Sequence, residues 1–291
     1  MTASIALKTP AKVNPILEVL GKRADGYHEL ALVFQTVALY DELDFSESPR
    51  GLHLEILESP FPLAADDSNL ILKAAKLFFT EILQEERGVQ IRLKKKIPLA
   101  AGLGGGSSDA AATLLGLDRL FKSQAGEGKL MALAAQLGSD VPFFLTGGTA
   151  LGTGRGEKIT AWTPGPEMAL VLVKPQEGLS TPAVYQSGKA VMTKGDRAHD
   201  FKAVLREGNM AKIGRALFNG LEPATFFLRP EVEAIKKRLL EAGALGALVS
   251  GSGPTVFGLA ESPSQARHIG AEMEGKGHSV FAVQTVPVGA I

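Results

Sequence analysis

The 291-residue chain contains no cysteine, a single tryptophan and only three tyrosines. Without cysteine there is no disulfide, thiolate zinc site, iron–sulfur cluster or cysteine nucleophile. No apolar run reaches the roughly 18 residues that a membrane-spanning helix needs. The first residues lack the cationic start and apolar stretch of a secretory signal. We therefore expect no membrane partner and a cytoplasmic location, which the lack of cysteine also favours.

An excess of charge of either sign is also lacking, because 31 Lys+Arg residues balance 31 Asp+Glu residues. A net charge of zero offers no general attraction to a polyanion, so we expect no nucleic-acid partner. The length allows two domains of ordinary size. The segment from Gly156 to Glu167 carries two prolines and little apolar periodicity. We therefore predict domains over residues 1–160 and 161–291.

Hydrophobic periodicity predicts both strands and helices in each half of the chain. In the first half, alternating apolar residues predict strands at 5–9, 16–20 and 52–57, and Ser68 is a candidate N-cap for a helix that ends near Leu83. Elements predicted farther along are a strand over 89–97, helices over 107–121 and 129–137, a strand over 168–175, helices over 198–219 and 230–242, strands over 246–250 and 254–260, a helix over 263–276 and a strand over 278–286. This alternation is typical of an α+β fold.

Glycine is the residue present in excess, and its densest cluster lies in the sequence PLAAGLGGGSSD at 98–109. Glycines let backbone N–H groups approach a ligand closely, and the helical pattern that follows would add its free N–H groups and dipole. No lysine follows as in a Walker A loop, and Ser107 stands where a dinucleotide fingerprint has glycine. A flexible linker is the alternative, but linkers rarely lead directly into a helix. The predicted phosphate-binding residues are Pro98, Leu99, Ala100, Ala101, Gly102, Leu103, Gly104, Gly105, Gly106, Ser107 and Ser108.

The sequence PLAAGLGGGSSDAA resembles the glycine-rich motif of the GHMP kinases, a superfamily of small-molecule kinases. Three other segments resemble family motifs in order and spacing, namely AKVNPILEVLGKRADGYHEL at 11–30, GSDVPFFLTGGTALGTGRGE at 138–157 and VSGSGPTVFGL at 249–259. The first of these resembles the opening motif of the family branch that acts on a cytidine-diphosphate-linked methylerythritol. The resemblance implies an α+β, two-domain GHMP kinase fold, with an N-terminal phosphate-loop domain and a ferredoxin-like C-terminal domain.

The resemblance also implies an activity, which is phosphorylation by ATP of the 2-hydroxyl of that substrate, in the non-mevalonate route to isoprenoid precursors. It implies that Lys12 and Asp140 are catalytic, with Asp140 accepting the hydroxyl proton. The substrate-binding residues that it implies are Asn14 at the substrate hydroxyls, Tyr27 and Tyr185 on the faces of the cytosine, His28 at its edge, and Thr181. Mg²⁺ is expected with ATP, while its ligands and the oligomeric state are left open.

The sequence departs from the family pattern at several positions around the phosphate loop. Ala100 and Ala101 stand where glycine is frequent, which costs some backbone freedom. Asp109 stands where asparagine is frequent, and we expect its carboxylate to face away from the phosphates or towards magnesium. Two other functions stay open. One is a GHMP kinase for a homoserine- or mevalonate-like substrate, and the other is a non-catalytic sensor of nucleotides. The presence of Lys12, Asp140 and the complete glycine loop favours the kinase over the sensor.

Overall fold

The computed structural model describes residues 4–85, 87–275 and 277–286. Within these ranges the strands are β1 (Ser4–Lys22), β2 (His28–Glu47), β3 (Leu52–Glu58), β4 (Val89–Lys94), β5 (Thr149–Gly154), β6 (Lys158–Ala161), β7 (Ala169–Lys174), β8 (Phe218–Asn219), β9 (Gly246–Val249), β10 (Val256–Ala260) and β11 (Ser279–Gln284). The helices are α1 (Leu70–Phe78), which continues as a π-helical turn (Phe79–Leu83), α2 (Gly105–Phe121), α3 (Glu127–Leu137), α4 (Val141–Thr146), α5 (Thr181–Gln186), α6 (Asp196–Glu207), α7 (Met210–Ala216), α8 (Glu222–Leu228), α9 (Pro230–Glu241) and α10 (Pro263–Met273). Each of these helices is too short or too polar to cross a membrane.

The first sheet is built around the long antiparallel pair β1 and β2, in the order β3-β4-β2-β1-β8. The hairpin of β5 and β6 joins it through β2. Strand β1 is continuous where two strands, at 5–9 and 16–20, were predicted. Its register with β2 shifts between Pro10 and Ala11 and again between Val13 and Ile16. Because bulges redirect side chains, these shifts affect the direction of Lys12, which lies between them, and of Asn14, which lies within the second.

Helices α1 to α4 cover one face of this sheet and share a core with it. Helix α2 lies closest to the strands, since a Cβ on Gly116 would be 2.5 Å from the Phe45 ring. The start of α1 differs from the prediction by one residue. Asn69 is the N-cap and its Oδ1 accepts a hydrogen bond from the backbone N–H of Ile71 at 3.0 Å. The Ser68 hydroxyl instead donates to Asp66 at 2.6 Å, so Ser68 belongs to the preceding turn.

The second sheet has the antiparallel order β11-β7-β10-β9. In chain order its strands therefore lie as 4-1-3-2, with α9 before β9 and α10 between β10 and β11. This is the ferredoxin-like topology, and it confirms the predicted fold class. Helices α9 and α10 pack on the sheet through their own apolar core. Helix α10 ends at Met273, before the predicted end at residue 276, which lies outside the described ranges.

The single helix predicted over 198–219 is wrong. Gly208, at φ +68°, ends α6, and Asn209 caps α7 by accepting a hydrogen bond from the backbone N–H of Lys212 at 3.0 Å. The chain then forms β8, which pairs in parallel with β1 and so adds an edge strand to the first sheet. A segment from the second half thus completes the first sheet. The boundary at residues 160 and 161 stays a prediction.

Candidate active site

A cleft of about 1040 Å³ lies between the first sheet, the glycine-rich loop and α5. The predicted site residues that line it are Lys12, Asn14, Tyr27, His28, Pro98, Leu99, Ala100, Ala101, Gly102, Gly104, Gly105, Gly106, Ser107, Asp140, Thr181 and Tyr185. The two other predicted residues, Leu103 and Ser108, are buried in the core at 1% and 0% exposure. The fold therefore gathers most of the predicted residues around one space.

The glycine-rich loop forms one wall of the cleft and leads into α2. Gly102 and Gly104 adopt φ values of +75° and +72°, in the left-handed region that favours glycine. A Cβ on Gly102 would lie 2.1 Å from the carbonyl oxygen of Ser250, so this position has no room for a side chain. Gly104 is the N-cap of α2, and the free N–H groups of the first turn of a helix attract anions. Ala100 has a φ of +47°, which costs alanine more than glycine.

The paired serines at the start of α2 face different surroundings. Ser107 lines the cleft. The Ser108 hydroxyl donates to the carbonyl oxygen of Pro10 at 2.6 Å and also forms a hydrogen bond with the Thr9 hydroxyl. The backbone N–H of Lys12 donates to the Leu103 carbonyl at 3.0 Å. Ser108 and Leu103 therefore fasten the loop to β1 and do not line the cleft.

The centre of the cleft contains an ammonium and a carboxylate side by side. Lys12 is 2% exposed, and its Nζ donates to Asn14 Oδ1 at 2.6 Å and lies 3.5 Å from Asp140 Oδ2. The Asn14 amide donates in turn to the carbonyl of Val33 at 3.2 Å, which fixes its orientation. Asp140 immediately precedes α4, yet its side chain makes no capping hydrogen bond. Its carboxylate is thus available to a ligand in the cleft, at 35% side-chain exposure.

Aromatic side chains form the far end of the cleft. The rings of His28 and Tyr185 are stacked, with centroids 4.9 Å apart, whereas the predicted partner on the cytosine, Tyr27, is 54% exposed. Burial, and then the nearby Lys22 ammonium, lowers the pKa of His28, so its imidazole is neutral at neutral pH. Burial and then the Asp140 carboxylate raise the pKa of Tyr185, so its phenol keeps its proton.

Two turns of the chain stabilise the walls of the cleft. Asp25 and Gly26 form one of them, with Gly26 at φ +85° and Asp25 Oδ1 accepting the backbone N–H of Tyr27 at 3.1 Å. At the start of α5, the Thr181 hydroxyl shares a hydrogen bond of 2.8 Å with Ser252. This bond joins α5 to the turn that precedes β10. Thr181 is thereby positioned at the cleft wall.

Asp109 lies beneath the glycine loop and points away from the cleft. This is one of the two orientations that the sequence predicts. Its Oδ2 is 2.6 Å from Lys95 Nζ, which is also 2.5 Å from Asp41 Oδ2, and all three side chains are buried. Burial is the main cause that raises the pKa of Asp109 to about 7, against the attraction of Lys95. Asp41 Oδ1 accepts the backbone N–H groups of Lys96 and Ile97 just before the loop. This buried cluster supports the loop from below.

Several residues that line the cleft were not predicted as site residues. The charged ones are Lys22, Asp25 and Arg155. The guanidinium of Arg155 lies 4.6 Å from the centre of the Tyr27 ring. Arg155 belongs to the sequence GTGRGE, part of a segment that resembles a family motif, but nothing local distinguishes a cleft-lining arginine from a surface one. Within the described ranges, no cluster of three or more His, Cys, Asp or Glu side chains is arranged to hold a metal ion.

Comparison with known proteins gives family matches in both halves of the chain. Residues 69–148 match the GHMP kinases N terminal domain, and residues 201–279 match the GHMP kinases C terminal family. The 4-diphosphocytidyl-2-C-methyl-D-erythritol kinase of Pelotomaculum thermopropionicum is 45% identical over 281 residues, covering 94% of this chain and 96% of the relative. The enzyme of the same name from Moorella thermoacetica is 46% identical over 278 residues, covering 93% and 95%.

Solved structures of kinases are similar to this chain over nearly its whole length. A crystal structure of 4-(cytidine 5'-diphospho)-2C-methyl-D-erythritol kinase has a TM-score of 0.80 and 34% identity, covering 97% of this chain and 99% of the other. A homoserine kinase from Cytophaga hutchinsonii has a TM-score of 0.76 at 24% identity, covering 98% and 95%. At that identity the homoserine kinase supports the fold alone.

Proposed function

Since the chain belongs to the GHMP kinase family, and within it to the 4-diphosphocytidyl-2-C-methyl-D-erythritol kinases, we propose that it transfers the γ-phosphoryl group of ATP to the 2-hydroxyl of 4-diphosphocytidyl-2-C-methyl-D-erythritol. One observation carries the proposal. The Lys12–Asp140 pair lies in the same cleft as an anion-binding loop and an aromatic end. A phosphate donor, a reacting hydroxyl and a nucleobase therefore each have a place of suitable chemistry.

The loop at 98–107 is proposed to hold the phosphates of ATP. Gly104, Gly105 and Gly106 let the nucleotide approach the backbone, and the start of α2 presents free N–H groups together with roughly half a positive charge from the helix dipole. The Asp41–Lys95–Asp109 cluster keeps this loop in position. The loop thus offers local positive potential although the whole chain has no net charge.

Asp140 is proposed as the group that receives the proton of the substrate hydroxyl. The hydroxyl oxygen then forms its bond to the γ-phosphorus while the bond to the β-phosphate oxygen breaks and ADP leaves. Because transition states of this kind are usually loose, Asp140 also orients the hydroxyl before the proton moves. The Lys12 ammonium, 3.5 Å from Asp140, offsets negative charge that develops on the transferring group. Asn14 keeps Lys12 in place and is proposed to bind substrate hydroxyls.

The aromatic end is proposed to bind cytosine. Tyr27 and Tyr185 offer ring faces, and stacking of a base on an aromatic side chain contributes about 1–3 kcal/mol in comparable sites. The neutral imidazole of His28 has one donor and one acceptor nitrogen, which suits the cytosine edge. His28 lies against Tyr185 in this structure, and Thr181 is on the same helix as Tyr185. The base would therefore lie between the ring faces of Tyr27 and Tyr185, with the His28 nitrogens at its edge and Thr181 beside it.

Mg²⁺ is proposed to accompany ATP. It prefers oxygen ligands and usually takes only one or two from the protein, with phosphates and water completing its shell. The Ser107 side chain is placed for this, because it lines the cleft at the start of α2, whereas Ser108 is engaged with Pro10. The bound ion would supply neutralisation of phosphate charge.

A coupled assay for ADP release, with 4-diphosphocytidyl-2-C-methyl-D-erythritol as acceptor, tests the activity. Asp140→Asn is expected to lose at least about 10²-fold in turnover, the usual contribution of a general base, while its melting temperature stays close to that of the unchanged protein. Asp200→Asn, on the exposed surface of α6, is the matched control and should retain full activity. Equal turnover of homoserine or mevalonate, or near-normal activity of Asp140→Asn, would contradict the proposal.

A further inference from the structure

Two positive charges in the cleft have no role in the steps above. The cationic side chains lining the cleft are Lys12, Lys22 and Arg155. Lys12 is engaged by Asp140 and Asn14. Arg155 has no carboxylate within 4.0 Å of its guanidinium in the part of the chain that the structure describes. A guanidinium that forms no ion pair and lines a ligand cleft is able to bind an anion.

The carboxylates on the neighbouring turns already have hydrogen-bond or ion-pair partners. Arg23 binds both Asp25, at 3.1 Å, and Glu29. The Glu157 carboxylate accepts the backbone N–H of Arg155 itself at 2.6 Å, which tightens the turn between β5 and β6. Arg155 is near enough to Asp25 to interact with its charge, but Arg23 already pairs with that carboxylate at 3.1 Å. The guanidinium is therefore carried on a tight turn and, within the described ranges, forms no ion pair of its own.

The position of this turn relates Arg155 to both ends of the substrate site. Gly154 pairs with Leu30 on β2, and a Cβ on Gly156 would lie 4.0 Å from Ser139, the residue before Asp140. The guanidinium meanwhile lies over the Tyr27 ring at 4.6 Å. Arg155 thus spans the distance from the reacting centre to the aromatic end.

We propose that Arg155 binds the diphosphate of the nucleotide substrate and makes the site selective for a cytidine diphosphate group. This inference rests on the proposed function, since it takes the acceptor to be a cytidine diphosphate ester. In such an ester the diphosphate joins the nucleoside to the sugar alcohol, so it lies between the base and the reacting hydroxyl. That is the interval which Arg155 spans.

The chemistry of arginine fits both contacts at once. A guanidinium stacked on an aromatic face keeps its N–H donors free in its own plane, and their fork matches two phosphate oxygens. Tyr27 would then be held between Arg155 on one face and the ligand on the other. Lys22, at the end of β1 beside His28, adds a second positive charge on the nucleotide side.

Calorimetric titration of the full chain with CDP and with cytidine tests this inference. For Arg155→Met we expect CDP affinity to fall about 10- to 100-fold, the loss of one charge-assisted contact, and cytidine affinity to fall much less. Arg155→Lys should recover part of the CDP affinity, because it keeps the charge and loses the fork. Arg206→Met, on the exposed surface of α6, is the matched control and should bind both ligands normally.

The alternative outcomes are distinct. If Arg155→Met weakens CDP and cytidine by the same factor, Arg155 only supports Tyr27 and the inference is wrong. It is also wrong if neither affinity changes in a variant that melts at the same temperature as the unchanged protein. Failure of the proposed function would appear separately, as an unchanged protein that releases no ADP with the cytidine-linked acceptor.

Discussion

Asparagine in place of Asp109 is expected to change how the stability of the protein depends on pH. Asp109 shares the Lys95 ammonium with Asp41, at 2.6 and 2.5 Å, and the three side chains are 4%, 1% and 0% exposed. If both carboxylates are ionised, one negative charge is buried without a counter-charge. In the described part of the chain, Asp109 Oδ1 also lacks a hydrogen-bond partner. The proton that Asp109 takes up removes the buried negative charge.

The sign and size of the effect follow from this burial. Burial, opposed by Lys95, raises the pKa of Asp109 from 3.8 to about 7. Between these values the folded chain holds a proton that the unfolded chain has lost, so stability falls as pH rises, and it levels off above pH 7. Each pH unit corresponds to about 1.4 kcal/mol. The total cost of ionising Asp109 in the folded protein is therefore on the order of 4 kcal/mol.

The cost can be measured by comparing the free energies of unfolding of Asp109→Asn and the unchanged protein, from urea unfolding at pH 5, 6, 7 and 8. Asp109→Asn cannot ionise, so its free energy of unfolding should rise relative to the unchanged protein by about 2–3 kcal/mol from pH 5 to 7, and by little more above pH 7. Asp200→Asn controls for loss of a surface carboxylate and should run parallel to the unchanged protein. A parallel profile for Asp109→Asn would refute the reasoning, because Asp109 would then have to be ionised throughout the range.

Two further predictions concern the phosphate loop. Gly104→Ala should raise the KM for ATP by up to about 10²-fold, because its Cβ would lie 2.7 Å from the Phe144 ring. Gly208→Ala controls for backbone strain alone, since Gly208 has nearly the same left-handed conformation (φ +68° and ψ +12°, against +72° and +13° at Gly104) and lies in open space. Normal ATP kinetics in Gly104→Ala would show that the loop tolerates displacement. Ser108→Ala should lower the free energy of unfolding by about 1–3 kcal/mol with ATP kinetics intact, and Ser107→Ala should raise the KM for ATP about 2- to 10-fold with stability intact. The opposite assignment of the two effects would overturn the orientation of these serines.

The strands that sequence patterns predict well are those with one face exposed to solvent. β3 alternates between exposed and partly buried residues, and its predicted bounds nearly match. β1 is buried on both faces through its middle, so apolar alternation cannot reveal it there. Pro10 and Pro15 also interrupt the pattern, so the sequence predicts two strands instead of one. The bulged register absorbs these prolines, and such pairing depends on β2, which no local window contains.

In the site, too, features formed by neighbouring residues could be predicted from the sequence, and features formed by distant residues could not. The glycine loop is one continuous segment, so its presence and its position directly before α2 could be predicted from adjacent residues in the sequence. Successive residues on a helix point about 100° apart, so Ser107 and Ser108 had to differ, but only the position of β1 decides which one is buried. The Lys95 cluster joins residues that are 14 and 54 positions apart. Nothing in the local pattern around Asp109 identifies Lys95 as its partner.

The cleft depends on both halves of the chain, because the second half holds the phosphate loop of the first. The Ser250 hydroxyl donates to the Gly102 carbonyl at 2.9 Å, and the backbone N–H of Thr255 donates to the Ala101 carbonyl at 3.3 Å. The turn between them also brings Gly251 close to the Lys12 ammonium, since a Cβ there would lie 3.2 Å from Nζ. One short turn of the second sheet therefore fixes the loop and crowds the central lysine at the same time. A substitution in this turn would disturb the proposed phosphate site and the proposed reacting centre together, although the turn contributes no charged group to either.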